Sequence, residues 1–223
     1  MAIKGKEVIE EMSLILSGKS FDAVFPSLVF VLINGFYGLN TAIFSSVGVA
    51  LLFCIIRLLS KQPFYYATGG LLGGLIASGF AYFAGNASNY FIPKIISSAF
   101  VFLLSFTSLL MGKPLAAWAS HLTRGWDLKW YWRKDVKPAY REVTWIWTIF
   151  FLIRLVLQIS LFLSGNIIGL IWLNTLLGFP VSIIGLVPSY IYGSWRLHKL
   201  KGPSVEEYLE GIEAPWKGQT RGF

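Results

Sequence analysis

Six apolar runs, each near the roughly 20 residues that one membrane crossing requires, follow one another over about 22–38, 41–59, 64–84, 91–111, 143–164 and 167–195. Three of the breaks between them are short and uncharged: GLN at 38–40, GNASN at 85–89 and SGN at 164–166. Three others are basic stops that contain proline: SKQPF at 60–64, GKPL at 112–115 and LKGPS at 200–204. The pattern predicts an all-α, polytopic membrane helix bundle of six transmembrane helices arranged as three antiparallel hairpins. No loop is long enough for a soluble domain. Residues 21–200 are therefore expected to form one membrane domain, with a basic, aromatic loop over 112–142 and a tail over 201–223.

The first twenty residues alternate charge and oil over too short an apolar stretch for a secretory leader. Over 1–20 they predict an amphipathic helix at the membrane surface, with Val8, Met12, Ile15 and Leu16 on one face and Glu7, Glu10 and Glu11 turned to water. Cations set the orientation. Three lie in the N-terminal tail, two at Arg57 and Lys61, seven from Lys113 to Arg141 and five from Arg196 onward, whereas Lys94 stands alone near the opposite side. The positive-inside rule places the basic stops, and with them both termini, in the cytoplasm.

Composition agrees with a membrane chain, since 55% of its residues are hydrophobic and 13% charged, where about a quarter of a soluble domain is charged. Cys54 is the one cysteine, so neither a disulfide nor a thiolate cluster is available. The two histidines, His121 and His198, lie outside the apolar runs, which argues against a haem ligated within the membrane. Every carboxylate falls in a tail, a loop or a span edge, leaving no group for acid–base or nucleophilic chemistry inside the spans. The expectation is a protein that is not an enzyme and carries no cofactor or metal. Asn86-Ala-Ser88 matches a glycosylation sequon, but in so tight a turn it reads as a chance match.

Three sets of residues stand out. In the third run Gly69, Gly73, Ala77, Ala81 and Gly85 recur every four residues, with Gly70, Gly74 and Ser78 beside them. Such a smooth side lets neighbouring backbones approach closely, so Gly69, Gly70, Gly73, Gly74 and Ala77 are expected at a helix-packing or self-association face. In the loop, Trp126, Trp130, Trp132, Arg133 and Lys134 combine rings with cations. A loop held to the membrane at both ends meets anionic headgroups before nucleic acid, so these residues are expected to anchor at the lipid surface. In the tail, Ser204 and Glu207 have the spacing of a capping box for a short helix ending at Gly211, and the stretch after it is expected to be loose unless Trp216 and Phe223 dock it.

A further set surrounds Arg154, the one charge within the apolar run 143–164. A charge at mid-bilayer costs about 2.5–3.5 kcal/mol on insertion scales. Because SGN joins the fifth and sixth helices, they run antiparallel and Arg154 falls level with Leu176, whose carbonyl loses its helical donor at Pro180. Arg154, Gln158, Asn174, Thr175 and Pro180 are thus a candidate polar site within the membrane. One reading has the guanidinium satisfy the released carbonyl; the other has it bind an anion beside a broken helix.

The GKPL stop followed by WIWTIFFL at the start of the fifth run resembles the intracellular septation protein A group of bacterial membrane proteins, and within it an uncharacterised branch of six-span proteins. The ending GPSVEEYLEGIEAPWKGQTRGF looks like that of this branch, and the likeness extends from about Phe21. It implies a multi-pass protein of the bacterial cytoplasmic membrane, acting in envelope synthesis or division through contacts with other membrane proteins. The expected partners are a bilayer with anionic headgroups and membrane proteins or further copies of the chain, with no nucleic acid. A small-solute or ion transporter is the alternative.

Overall fold

Apolar runs of this length leave the backbone one way to satisfy its own hydrogen bonds in lipid, and among the described residues every regular element is helical. The computed structural model describes residues 25–219 and 222–223; the expected amphipathic helix over 1–20 lies outside them. The helices are α1 (Phe25–Tyr37), α2 (Leu39–Leu59), α3 (Phe64–Ala84), α4 (Ile92–Leu110), α5 (Leu115–Arg124), α6 (Leu128–Tyr131), α7 (Lys137–Leu163), α8 (Ile167–Leu176), α9 (Phe179–Leu200) and α10 (Val205–Leu209). A 3₁₀ turn, Ala87–Phe91, leads into α4.

Four stretches are long and apolar enough to cross a membrane: Leu39–Leu59, Ala67–Ala84, Ala87–Leu110 and Lys137–Leu163. The first expected span appears as the 13 residues of α1, about 20 Å of helix against a hydrocarbon layer of about 30 Å. The sixth, 167–195, is two helices rather than one. It breaks at Leu177–Gly178, two residues before Pro180, whose ring nitrogen has no hydrogen to donate. A Cβ on Gly178 would meet the Asn174 carbonyl oxygen, so the break also demands glycine.

The chain divides into two compact units. The first holds residues up to Ser97 together with Val156–Val181. Its core joins Phe30 of α1, Ala42 and Ile43 of α2, Ala77 and Ala81 of α3, Tyr90 and Phe91 of the 3₁₀ turn, and Leu170 and Ile171 of α8. Phe30 and Tyr90 stack with ring centroids 4.0 Å apart. The turn from α1 to α2 is a single residue, Gly38, at φ 81°, a backbone that side chains resist. In the loop after α3, the Asn86 side chain accepts the Ser88 amide at 2.9 Å and so caps the 3₁₀ turn.

The second unit comprises Ser98–Leu155 and Ser182–Phe223. Hydroxyls hold it together at α4 and α7. Ser105 and Thr148 hydrogen-bond at 2.5 Å, and Thr148 and Thr144 each donate to the carbonyl four residues earlier. The same seam starts α5. Pro114 at that helix's N-cap has no side-chain acceptor to offer, so Ser108 Oγ accepts from Leu115 N at 3.0 Å and Thr144 Oγ1 from Ala116 N at 3.1 Å. A second core, of Ala117, Trp130, Tyr131, Val136, Ala139, Tyr140, Leu197 and Val205, gathers the loop, α9 and α10 into one cap.

Candidate functional site

The polar residues of the expected membrane site fall into two groups. In the first unit Gln158 is fully buried, and its Nε2 donates to Asn174 Oδ1 at 2.7 Å. Asn174 Nδ2 in turn donates to the Leu170 carbonyl, also at 2.7 Å. The spare oxygen, Gln158 Oε1, is sealed from solvent with no donor among the described residues. Thr175, the next residue along α8, is partly buried. An amide pair inside apolar surroundings fixes helix register because an unmatched amide there is costly.

Arg154 belongs to the second unit. It is half-buried, and its Nε is closed off from solvent without a hydrogen-bond acceptor among the described residues. A guanidinium needs several acceptors to offset its desolvation.

The glycine ladder of α3 splits into two sides. A Cβ on Gly74 would lie 3.3 Å from Ala50 Cβ of α2, and Ala77, Ser78 and Ala81 are buried on the same flank. Ser78 Oγ lies 3.4 Å from Ser46 Oγ of α2, a hydrogen bond available only because the helices run close. Cβ atoms on Gly69 or Gly73 would meet nothing within 4 Å, and one on Gly70 only Arg57 Nη1 at 3.9 Å. The packed face is thus Gly74–Ala77–Ser78–Ala81, while a Cβ on Gly69 or Gly73, both expected at a packing face, would meet no other described residue within 4 Å.

In the cap the expected lipid anchors are reassigned. Trp130 is fully buried and its ring N–H donates to the Pro203 carbonyl at 3.0 Å, so it is a core residue and not a headgroup anchor. Tyr131, equally buried, donates to Ser120 Oγ at 3.0 Å, and burial raises its phenol above the usual range. Arg133 is held by both oxygens of Asp135, at 2.9 and 2.7 Å, which keeps its guanidinium still more firmly protonated. It also stacks on Trp216 at 5.1 Å. Trp126 and Trp132 are partly buried; Lys134 is exposed.

The tail is packed rather than loose. The Ser204–Glu207 capping box is formed, and Glu207 additionally accepts the Lys217 and Gly218 amides at 2.7 and 3.2 Å. Phe223 stacks on Tyr140 with centroids 4.3 Å apart and rings within 8° of parallel. It fits only because residue 193 is glycine, where a Cβ would overlap its ring.

Sequence reasoning missed two constellations. Glu142 receives a bidentate bond from Arg196, with Nε and Nη2 each 2.8 Å from an oxygen, and a third bond from Tyr192 OH at 2.8 Å. Both charges flank expected spans joined by a three-residue turn, so their meeting follows from the antiparallel register. The second is the hydroxyl seam, whose signal was Ser105 with Ser108 and Thr144 with Thr148, spaced three and four apart in otherwise apolar helices.

Among the described residues no group of three or more histidine, cysteine, aspartate or glutamate side chains could hold a metal ion. The fold is that of a helical chain with the length and apolarity to reside in a membrane. It belongs to the family described as Protein of unknown function (DUF3159), whose pattern matches residues 19–196. No curated protein and no solved structure matches it.

Proposed function

We propose that the chain is a multi-pass protein of the bacterial cytoplasmic membrane that works as a non-catalytic interaction or scaffold component in envelope synthesis or division. Six crossings, with α8 and α9 together making a broken sixth, bring both termini and the basic cap to the cytoplasm. The observation that carries the reading is the division of α3: one flank is committed to α2, while Gly69 and Gly73 present open backbone. An open glycine flank suits a helix of a second membrane protein or another copy. The cap supports the same reading, because the carboxylates of Asp135, Glu142 and Glu207 are all engaged in holding it together. The process is taken from the resemblance of the GKPL and WIWTIFFL stretches to the septation group.

A second reading, transport of a small anion, is favoured by the acceptor-free Nε of Arg154. One pair of measurements separates the two. A photo-crosslinking residue at Gly73 should capture, in cells, a membrane protein of envelope synthesis or division or a second copy, and proteoliposomes should show no saturable anion flux. Capture of lipid alone, with saturable flux that Arg154→Leu abolishes, would replace the scaffold with the transporter.

A further inference from the structure

Helix α5 is packed the opposite way from a helix in water. Its polar side chains bond inward to the cap: Ser120 with Tyr131 OH, His121 Nδ1 with the Trp126 carbonyl at 2.6 Å, and Arg124 Nε with the Phe223 carbonyl at 3.1 Å. Its apolar residues Leu115, Trp118, Ala119 and Leu122, spaced i, i+3, i+4 and i+7, share the opposite arc. That arc is open: Leu122 is 80% exposed and Trp118 36%. A water-facing surface helix carries the reverse pattern.

The position of the helix says what covers this arc. Two stretches long and apolar enough to span a membrane, Ala87–Leu110 and Lys137–Leu163, flank it in sequence. Its first two free amides bond to Ser108 of α4 and Thr144 of α7, so α5 begins beside the ends of those two helices. Helices at that level lie in the headgroup layer when one side is apolar. The charge is complementary to anionic lipid: seven cations lie between Lys113 and Arg141 against two acids, Asp127 and Asp135, and Asp135 is already bonded to Arg133. Lys113, Lys129, Lys134 and Arg141 are exposed.

We infer that α5 is an interfacial helix, with Trp118 and Leu122 inserted among the headgroups of the membrane that α4 and α7 cross, and with anionic lipid drawn to the neighbouring cations. The inference rests on the membrane-spanning reading of α4 and names the lipid contact of the cap, which falls on α5 and not on Trp130.

The test uses the full chain in lipid nanodiscs, with nitroxides at single cysteines in a Cys54→Ala background. Leu122→Cys reports on α5, Leu103→Cys on the exposed side of α4, and Glu210→Cys on an exposed site of the tail. Accessibility to oxygen and to a water-soluble nickel chelate gives depth. The expected result is a Leu103 label in hydrocarbon, a Glu210 label in water and a Leu122 label at headgroup depth, severalfold less accessible to the chelate than Glu210. The Leu122 label should move deeper when phosphatidylglycerol is added to phosphatidylcholine discs, and high salt should reverse the shift. A Leu122 label as wet as Glu210 overturns the inference, as does one shielded from both reagents, which would mean a protein covers the arc. Headgroup depth indifferent to phosphatidylglycerol overturns the selectivity for anionic lipid. Chelate access at Leu103 would instead bring down the spanning reading itself.

Discussion

Glu207 shows how much a single carboxylate can organise in a short tail. It accepts the backbone N–H groups of Ser204, Lys217 and Gly218, and those bonds, with Ser204 first, hold its carboxyl below the usual glutamate range. A group whose acidity is strengthened by folding contributes its stabilisation above the ordinary carboxylate value, and the contribution is lost as pH falls from there through the depressed one. Tail docking should therefore hold from neutral pH down to about 4.3, the ordinary glutamate value, and weaken below it. Hydrogen-exchange protection at Lys217 and Gly218, corrected for intrinsic rates, measures this. Glu207→Gln should lower protection at neutral pH and flatten its acid dependence, because the amide keeps an acceptor but has no charge to lose. A wild-type acid profile unchanged in Glu207→Gln would transfer the effect to another carboxylate.

At the scale of the helix, the sequence showed that α3 is smooth but not which side is used. Gly69 and Gly73 differ from Gly70 and Gly74 by one residue, or about 100° of rotation, and the choice depends on where Ala50 and Ser46 of α2 arrive. Gly74→Leu should lower the melting temperature in detergent sharply, since even a Cβ added at residue 74 would lie only 3.3 Å from Ala50 Cβ. Gly73→Leu should leave it within a degree or two and act, if at all, on assembly mass. Equal losses from both would mean that the open flank is also packed. Helix existence was legible in the apolar runs, where α2, α3, α4 and α7 match expectation to within a few residues apart from the polar start of α7, because apolar length is a strong local signal; it was not legible over 112–142, expected as a loop, where α5 and α6 form. The break after α8 was legible in Gly178 and Pro180. The inward polar face of α5 was not, because its partners, Tyr131, Trp126 and Phe223, lie up to about a hundred residues away. Trp130 was misplaced for the same reason: rings beside cations read as a headgroup motif until Pro203 supplies a carbonyl for the indole.

For the whole molecule, charge decides the expected topology. The six crossings proposed above would place the outer turns at Asn86 and Asn166 on one side and Lys129 and Gln219 on the other, with the cations of the loop and tail on the side that the positive-inside rule makes cytoplasmic. As described, α1 and α8 are shorter than one membrane crossing requires, so in the proposed topology α8 needs α9 to complete its crossing. Single cysteines at Asn86 and Asn166, in a Cys54→Ala background, should react with an impermeant maleimide added to intact cells, and cysteines at Lys129 and Gln219 only after lysis. The outcome at Gln219 separates the alternatives. If α8 and α9 dip into the membrane and return, the α7–α8 turn is still outside but the tail is too, so Asn166 and Gln219 label together while Lys129 stays protected. If the second half makes the full crossing, Asn166 labels and Gln219 does not. The Glu142–Arg196 pair bears on the choice. It bonds the start of α7 to the far end of α9, which requires α9 to return to the side on which α7 began and makes the full crossing the expected result.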